Sequence, residues 1–579
     1  MPLKPGYAAL FLTAGTALAI GCAQKTPSAG KVEGETDPLA CTTSTETGIT
    51  VPPGFCATVF ADNIGHARHL VVAGDGTVYV NTWSGRYYRN APPPKGAFLV
   101  ALRDADGDGR AEIIQRFGRT AEEGNSGGTG IAFYKDGLYA ETDDRIVRYS
   151  MTPGQIVPTR APVTILSDLP LTGDHPMHPF VIDAKGQMFV NSGSATNTCE
   201  ERNRQPGSKG LDPCKETEIR GGIWLYPADR PAQKFSAAER YATGIRNTGG
   251  MSFDANGRLF AVQHGRDQLG QNWPALYSPE QGVELPAEEL LAPVKGSDFG
   301  WPYCYYDGLQ KRLVLAPEYG GDGGKTAGRC ATKSPPVAAF PAHFAPNDVL
   351  IYTGQQFPLA YRGGAFIAFH GSWNRAPAPQ DGYTVMFQPL QDGRSSGAPM
   401  RFADGFAGAF KEPGRAVHRP AGLAMAPDGT LYIADDVKGR IWRITWRGPA
   451  NAPLAAAVAP KETAASPNTG TRHAATLPPG FTEAQVDLGR RIYLGEVRSG
   501  TCSGCHGSDG RGSSAGASLV GPEWLWTDGS IPSLAKVIAA GVPNPRKSGG
   551  AMPPKGGTDL SEQDVQAVAA YVWTIGKTH

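Results

Sequence analysis

Between residues 60 and 445 one local pattern recurs: an apolar strand, a tight turn, and a second strand that opens on apolar or aromatic residues. Five clear copies span 70–80, 131–140, 180–190, 251–262 and 423–433, with turns at Asp75-Gly76, Asp136-Gly137, Lys185-Gly186, Asn256-Gly257 and Asp428-Gly429. A sixth, degenerate copy occupies 349–369. An Asn-Gly or Asp-Gly pair between alternating apolar residues is the strongest short hairpin signal, and the expected turn holds both central residues at positive φ. One such sheet cannot bury both of its faces, whereas a ring of sheets can. The expected fold class is mainly β: a six-bladed propeller over residues 46–446, with a small all-α domain at the C-terminus. A β-sandwich with coincidental turns is the competing architecture. The 75 glycines and 49 prolines favour a turn-rich β protein over a helical one.

Net charge is +1, which gives no reason to expect nucleic acid or an anionic surface as a partner. Lys4 followed by an apolar run at 8–20 reads as an export signal over residues 1–21, too short to span a bilayer. It ends Leu18-Ala19-Ile20-Gly21-Cys22, where small residues before a cysteine resemble a bacterial lipobox. The expected mature chain starts at a lipidated Cys22, is tethered by 22–45, and is periplasmic, held to the membrane by lipid alone. Plain cleavage to a soluble periplasmic protein is the alternative. With Cys22, Cys502 and Cys505 set aside, six cysteines fall in close sequential pairs: Cys41/Cys56, Cys199/Cys214 and Cys304/Cys330. Three local disulfides are expected in an oxidising compartment, because short loops close most easily.

A Pro/Ala-rich linker covers 447–477. Beyond it, in 478–579, stands Cys502-Ser503-Gly504-Cys505-His506, the attachment signature of c-type haem. Two thiols bond to the porphyrin vinyl groups, and His506 takes one axial position on the iron. Met552 is the expected second axial ligand: prolines follow it and stiffen its loop, whereas the other candidate, His579, is the chain end. A structural zinc half-site would need two more ligands, and no further cysteine follows. A redox dithiol has no use for His506 and Met552. A helix is expected after Thr482 as N-cap, with Gln485 at N3 and Val486, Leu488, Ile492 and Tyr493 as its apolar face. A last helix is expected over roughly 561–575. This segment resembles a small class I cytochrome c.

The propeller region has no Gly-x-Gly-x-x-Gly between a strand and a helix, so a nicotinamide or flavin site is not indicated. It carries Gly244-Ile245-Arg246-Asn247, then Gln263-His264-Gly265-Arg266-Asp267, Gly300-Trp301-Pro302, His370-Gly371-Ser372-Trp373-Asn374-Arg375 and Arg419-Pro420-Ala421-Gly422. On these residues, 50–445 resembles the soluble-type quinoprotein sugar dehydrogenases, in particular the sorbosone and pyranose dehydrogenase subgroup. The resemblance implies a six-bladed propeller holding pyrroloquinoline quinone (PQQ) and calcium. PQQ is a planar tricarboxylate, and its carboxylates suit guanidinium forks. Arg68, Arg246 and Arg419 sit at equivalent places in their repeats and are the expected anion-binding residues, with Asn247 beside them; inter-blade salt bridges are the alternative use. Calcium is expected on backbone carbonyls at Gly265 and Arg266, with Asp267 as an added candidate. The resemblance places the catalytic base at His175, counting back from Asp183, with His178 as its rival; imidazole has the pKa range for taking a hydroxyl proton. His370 and positions around Arg375 are further candidates for the funnel lining.

One more motif, Asp104-Ala105-Asp106-Gly107-Asp108-Gly109-Arg110-Ala111-Glu112, alternates carboxylates with a glycine, as calcium loops do. It lacks a Glu at position twelve, so a structural calcium on Asp104, Asp106 and Asp108 is expected rather than a switch; a solvated acidic turn is the alternative. Together these features lead to a quinohaemoprotein that oxidises a sugar, as an alcohol or an aldehyde, at PQQ. It would pass electrons to its own c-type haem and on to a soluble cytochrome or the respiratory chain. Two other readings compete: a cytochrome c carrier with a propeller docking module, and a metal-dependent propeller hydrolase or lactonase.

Overall fold

The computed structural model of this chain describes residues 44–82, 95–460 and 477–577, without 499, 514, 522, 544 and 547–550. The signal and lipobox residues, with Cys22, lie outside the described residues, as do most of the tether, Cys41, linker residues 461–476 and His579.

Six blades form a ring, each with four antiparallel strands; the second carries a fifth strand, Gln233–Lys234, paired parallel with Val163–Ser167. Their first and second strands are Ala67–Val72 with Val78–Thr82, Gly127–Tyr134 with Gly137–Thr142, Phe180–Ile182 with Gln187–Ser192, Met251–Phe253 with Leu259–Gln263, Pro346–Ile351 with Ala365–His370, and Pro420–Met425 with Leu431–Asp435. These six hairpins are the six repeats of the sequence, the degenerate copy included; Val349 pairs with Ile367 there. The sixth blade takes its outer strand from the other end of the domain. Strand Phe55–Ala61 pairs antiparallel with Ile441–Trp446, Phe55 opposite Trp446. That pairing closes the ring, and the edges that remain are the short outer strands of the blades.

The turns differ from the expected two-residue form. At Gly76, Gly186, Gly257 and Gly429 the glycine alone of the turn pair has positive φ, between 76° and 88°. Each glycine N–H donates to the carbonyl three residues back, and the pair that closes the hairpin spans five residues, as Asp183 N–H to Gln187 O and Ala73 N–H to Thr77 O do. This is a type I turn ending in a left-handed glycine bulge. The aspartates stay right-handed and cap the turn instead: Asp183 and Asp254 each accept two backbone N–H groups. At the second blade the turn shifts to Lys135-Asp136, because Tyr134 pairs directly with Gly137.

Six apolar clusters lie between blades, one at each seam. The seam of blades five and six is aromatic, with Phe55, Phe357, Tyr361, Phe366 and Phe402 packed largely edge to face. Burying each such ring contributes about 2–3 kcal/mol. Nearer the axis the seams turn polar. The second strand of a blade ends in a buried side chain that holds the backbone of neighbouring entry segments. Asn81 accepts from Gly128 N–H and donates to the Gly130 carbonyl. Glu141 accepts from Thr129, Gly130 and His178 N–H at 2.7–2.9 Å. Asn191 accepts from Thr248 N–H, Gln263 from Arg246 N–H and Asp435 from Arg419 N–H.

The C-terminal region is helical. Glu483–Tyr493 and Glu562–Gly576 carry the capping boxes Thr482/Gln485 and Ser561/Asp564. A third helix, Ile531–Ala540, was not expected; its Ile531, Leu534, Ala535 and Ile538 face is buried. The short helix Cys502–His506 holds the haem motif. Among the described residues no helix is long and apolar enough to cross a membrane. Cys199–Cys214 and Cys304–Cys330 are disulfides. Cys56 is disulfide-bonded as well, and its expected partner Cys41 lies outside the described residues.

Glu141 is 2% exposed. Burial works to raise its pKa, but the His178 contact and the donated N–H groups hold it below its ordinary value. It therefore stabilises the propeller above the usual carboxylate range, and that contribution is lost as pH falls through its lowered value. Glu141→Ala strands three buried N–H groups and is expected to cost about 3 kcal/mol, read as a lower urea midpoint of the propeller transition at pH 7.

Candidate functional site

The first strands of the blades converge on the axis, so residues at or just before them meet in one place. Arg68, His175, Arg246, Asn247, His370 and Arg419 all line a single cavity of about 740 Å³. The same cavity is lined by Cys502, Cys505, His506 and Met552 from the helical region. The funnel of the propeller and the crevice of the haem motif are thus continuous.

His175 sits in the loop before the third blade. Arg220 fixes that loop, donating to the carbonyls of His175, Gly193 and Thr172. His175 Nδ1 lies 2.9 Å from both the Ser194 carbonyl and the Ser194 hydroxyl. The Ser194 hydroxyl spends its own proton on the Thr196 carbonyl, so both Ser194 oxygens are acceptors here. The ring proton is therefore on Nδ1, and Nε2 keeps its lone pair. Burial first, then the charge of Arg246, the His264 ring and the charge of Arg204, hold His175 well below 6.5. A neutral imidazole with a free Nε2 in a cavity is equipped to accept a proton. The rival His178 is fully buried, pairs with Glu141 and does not line the cavity.

The three arginines divide by partner. Arg68 makes an inter-blade ion pair with Asp436 at 2.6 Å, and Asp436 also takes His370 Nε2 at 2.7 Å. Arg246 donates to Asn197, to the Gly265 carbonyl and to Asp267. Arg419 donates Nε and Nη2 to the carbonyls of His370 and Gly371 and has no carboxylate partner among the described residues. Arg68 thus makes the inter-blade ion pair that was the alternative reading; Arg246 pairs with Asp267 inside its own blade, and Arg419 is the one of the three left to attract an anion. Asn247 bridges Asn191 and His264. Burial first, then Arg246, lowers His264 to about 4; burial, then Arg419, does the same for His370. Gly265 lines the cavity, while Arg266 stands behind it with its fork on Glu318. Arg375 also falls outside the lining, bonded to the Ala342 carbonyl.

A fourth guanidinium was not foreseen. Arg204, from the loop closed by Cys199–Cys214, reaches the cavity and binds Asp174 at 2.9 Å and Asp267 at 3.0 Å. The paired cysteines were the one sequence signal that a rigid loop lies there.

In the helical region Cys502 and Cys505 are not bonded to each other and face the cavity. His506 Nδ1 lies 2.7 Å from the Ala517 carbonyl, which fixes the proton on Nδ1 and leaves Nε2 for a metal. Met552 lies in the same lining, its backbone paired with Val542. The donor set is that of a His/Met-ligated c-type haem, and it fits. The haem loop rests on the propeller: a Cβ on Gly504 would lie 2.1 Å from the Trp373 carbonyl oxygen, so only glycine permits the approach. Ser508 Oγ donates to Glu412 at 2.7 Å across the same interface. Remote from the cavity, ligand oxygens of Asp104, Asp106, Asp108 and Glu112 lie within 4.8 Å of one another.

Comparison with known proteins agrees with this architecture. The model of the cbb3-type cytochrome c oxidase subunit III family matches residues 484–572. A pyrroloquinoline quinone-dependent pyranose dehydrogenase of Coprinopsis cinerea is 26% identical over 237 residues, covering 35% of this chain and 30% of that protein. An uncharacterized protein of Borreliella burgdorferi is 27% identical over 213 residues, 36% of this chain and 50% of that one. The chain thus spans half or less of these relatives' lengths. Among solved structures, the holo form of the pyranose dehydrogenase PQQ domain from Coprinopsis cinerea matches with a TM-score of 0.54 and 18% identity, covering 69% of this chain and 97% of that one. The calcium structure of a Trichoderma reesei carbohydrate-active enzyme of family AA12 also gives 0.54 and 18%, covering 71% and 99%. These show a common propeller fold. The TrAA12-like family model matches residues 49–447, most of the chain, and the chain belongs to that family.

Proposed function

We propose that this protein is a quinohaemoprotein oxidoreductase. It oxidises a sugar, as a pyranose alcohol or aldehyde, with PQQ in the propeller funnel, passes the electrons singly to its own c-type haem, and hands them to an external acceptor. The observation that carries this is the shared cavity: base, guanidiniums and haem ligands line one space in a TrAA12-like chain. The named Coprinopsis relative acts with PQQ on pyranoses, which supports the same cofactor and substrate class here.

PQQ, when bound, supplies the two-electron acceptor for hydride from the sugar carbon. The residues do the rest. His175 Nε2 takes the hydroxyl proton, with Nδ1 anchored on Ser194 so that the ring cannot turn away. Arg419, held on carbonyls rather than on a carboxylate of the described residues, attracts a cofactor carboxylate, and Arg246, Arg68 and Asn247 complete the polar wall. Calcium belongs to the proposal at the Gly265 and Arg266 carbonyls. A carbonyl has two lone pairs, and Arg246 takes one of those on Gly265. A structural calcium on Asp104, Asp106 and Asp108, with Glu112 beside them, is part of the same reading. So is export to the periplasm with a lipid anchor at Cys22, supported by the apolar leader and by disulfides that need an oxidising compartment. Cys502 and Cys505 would hold the haem covalently, with His506 and Met552 on its iron.

Purified holoprotein given PQQ and calcium is expected to show reduction of its haem absorption band when aldoses are added. Bound PQQ with no haem reduction by any sugar would overturn the transfer step. His175→Ala is expected to lower kcat by roughly 10²–10⁴-fold with the haem spectrum unchanged. Because the base works neutral and its pKa is depressed, the acid limb of the wild-type pH profile should lie below pH 6.5. Arg419→Ala should weaken PQQ affinity roughly 10–100-fold in a titration, the loss of one charge-assisted bond.

A further inference from the structure

We propose that Arg204 is a positioning residue that ties the base to the haem domain and sets the electrostatics of both. The proposal rests on the function read above. Arg204 is delivered by the loop between Cys199 and Cys214 and is held at φ +60°, a left-handed conformation rare outside glycine. Glu200 secures it there, accepting Arg204 N–H at 2.7 Å. Its fork then spends every nitrogen on a different partner: Nε on Asp174, the residue before His175; Nη2 on Asp267; and Nη1 on Gln268 Oε1 at 3.3 Å.

Each partner leads onward. Asp267 also holds Arg246 and, through Oδ1, Asn374 Nδ2 at 2.9 Å; the neighbouring Trp373 carbonyl is the surface on which Gly504 of the haem motif rests. Gln268 is 1% exposed and left-handed at +60°, and its Nε2 has no hydrogen-bond partner among the described residues. Gly557, from the loop after Met552, packs on that atom, where a Cβ would lie 2.3 Å away. One guanidinium therefore joins the loop of the base to both haem-side loops. Two strained non-glycine residues at one junction mark a place the surrounding structure over-determines.

The charge is permanent. Burial opposes it, but Asp174 and Asp267 raise the Arg204 pKa far above any working pH. It is felt on both sides. It helps hold His175 neutral, together with Arg246 and His264, and on the haem side Arg204 lines the same cavity as Cys505 and His506. The charged and titratable groups facing His175 are Arg246, Arg204, His264 and the adjacent Asp174, with Arg220 on its carbonyl. Removing the Arg204 charge makes protonation of His175 easier, so its pKa rises. It also removes a cation near the haem, which favours the ferric state and lowers the potential. Removing the Asp174 charge acts on His175 in the opposite sense.

The test uses full-length haem-loaded protein with Arg204→Gln, Arg204→Lys and Asp174→Asn. Haem midpoint potential is read by spectroelectrochemistry without sugar, and the acid limb of kcat/KM is read with a dye as acceptor. Arg204→Gln should lower the potential and move the acid limb up by about one pH unit. Arg204→Lys should keep the wild-type potential, and Asp174→Asn should move the acid limb down. An Arg204→Gln protein with wild-type potential and acid limb overturns the proposal. If Arg204→Gln does not fold, an acid limb that moves up or stays in Asp174→Asn, or a lowered potential in Arg204→Lys, overturns it. A wild-type protein whose haem is not reduced by sugar defeats the function read above, and the potential shift still decides the role of Arg204.

Discussion

A twisted sheet with two apolar faces is soluble only when both are covered, and six such sheets cover one another only in a closed ring. Here closure is one antiparallel pairing, Phe55–Ala61 on Ile441–Trp446, which joins the two ends of the domain. Everything at the axis depends on it. The six first strands converge there because the blades are wedged apart by seams of apolar side chains outside. Residues far apart in sequence, such as Arg68 and Asp436, meet at 2.6 Å only because the first and last blades are neighbours.

Convergence has an electrostatic consequence. Arginines brought to a buried axis need partners, since an isolated buried charge is costly. Arg68, Arg204 and Arg246 find carboxylates in Asp436, Asp174 and Asp267. The histidines among them are held neutral by burial and by the same guanidiniums. Glu288, which accepts Gly265 and Ala345 N–H, is pushed up to about 7 by burial. The axis therefore holds guanidiniums matched to carboxylates, Arg419 and Arg220 held on carbonyls instead, and a set of neutral bases. That arrangement suits a polyanionic cofactor and a substrate that must lose a proton.

What was legible in the sequence was local. Five of the hairpins are written within 10 to 12 residues and were readable, the sixth, over 349–369, showed only as a degenerate copy, and the cap signals Thr482/Gln485 and Ser561/Asp564 were readable too. The turn geometry was misjudged because a dipeptide rule does not distinguish a two-residue turn from a type I turn with a glycine bulge; the Asp183 and Asp254 side chains decide it by capping backbone N–H groups. His175 and His178 are three residues apart and chemically alike. Only the tertiary structure separates them, turning one to the cavity and the other to Glu141. The salt bridges of Arg68 and Arg246 and the arrival of Arg204 were invisible for the same reason: their partners lie 368, 21, 30 and 63 residues away. The helix Ile531–Ala540 was passed over because Pro532 stands in its first turn and Pro522, Pro543, Pro545 and several glycines crowd the segments on either side of it.

The contact between haem motif and propeller relies on glycines that admit close approach, one to a backbone carbonyl and one to a buried side-chain amide. Gly504 lies on the Trp373 carbonyl and Gly557 on Gln268, and in each case a Cβ would collide. Long side chains at those points would separate the surfaces by several ångströms. Electron transfer weakens steeply with distance, so close approach favours transfer inside this chain. Tethering adds to it, because a fused domain returns to its site at an effective concentration no free carrier reaches. Ser508 on Glu412 then supplies direction without bulk, a hydroxyl-to-carboxylate bond that fixes one orientation of the haem loop over the funnel. Glycine where surfaces meet and a charge-assisted bond beside them is what a permanent intramolecular contact requires, and the single cavity that spans both halves follows from it.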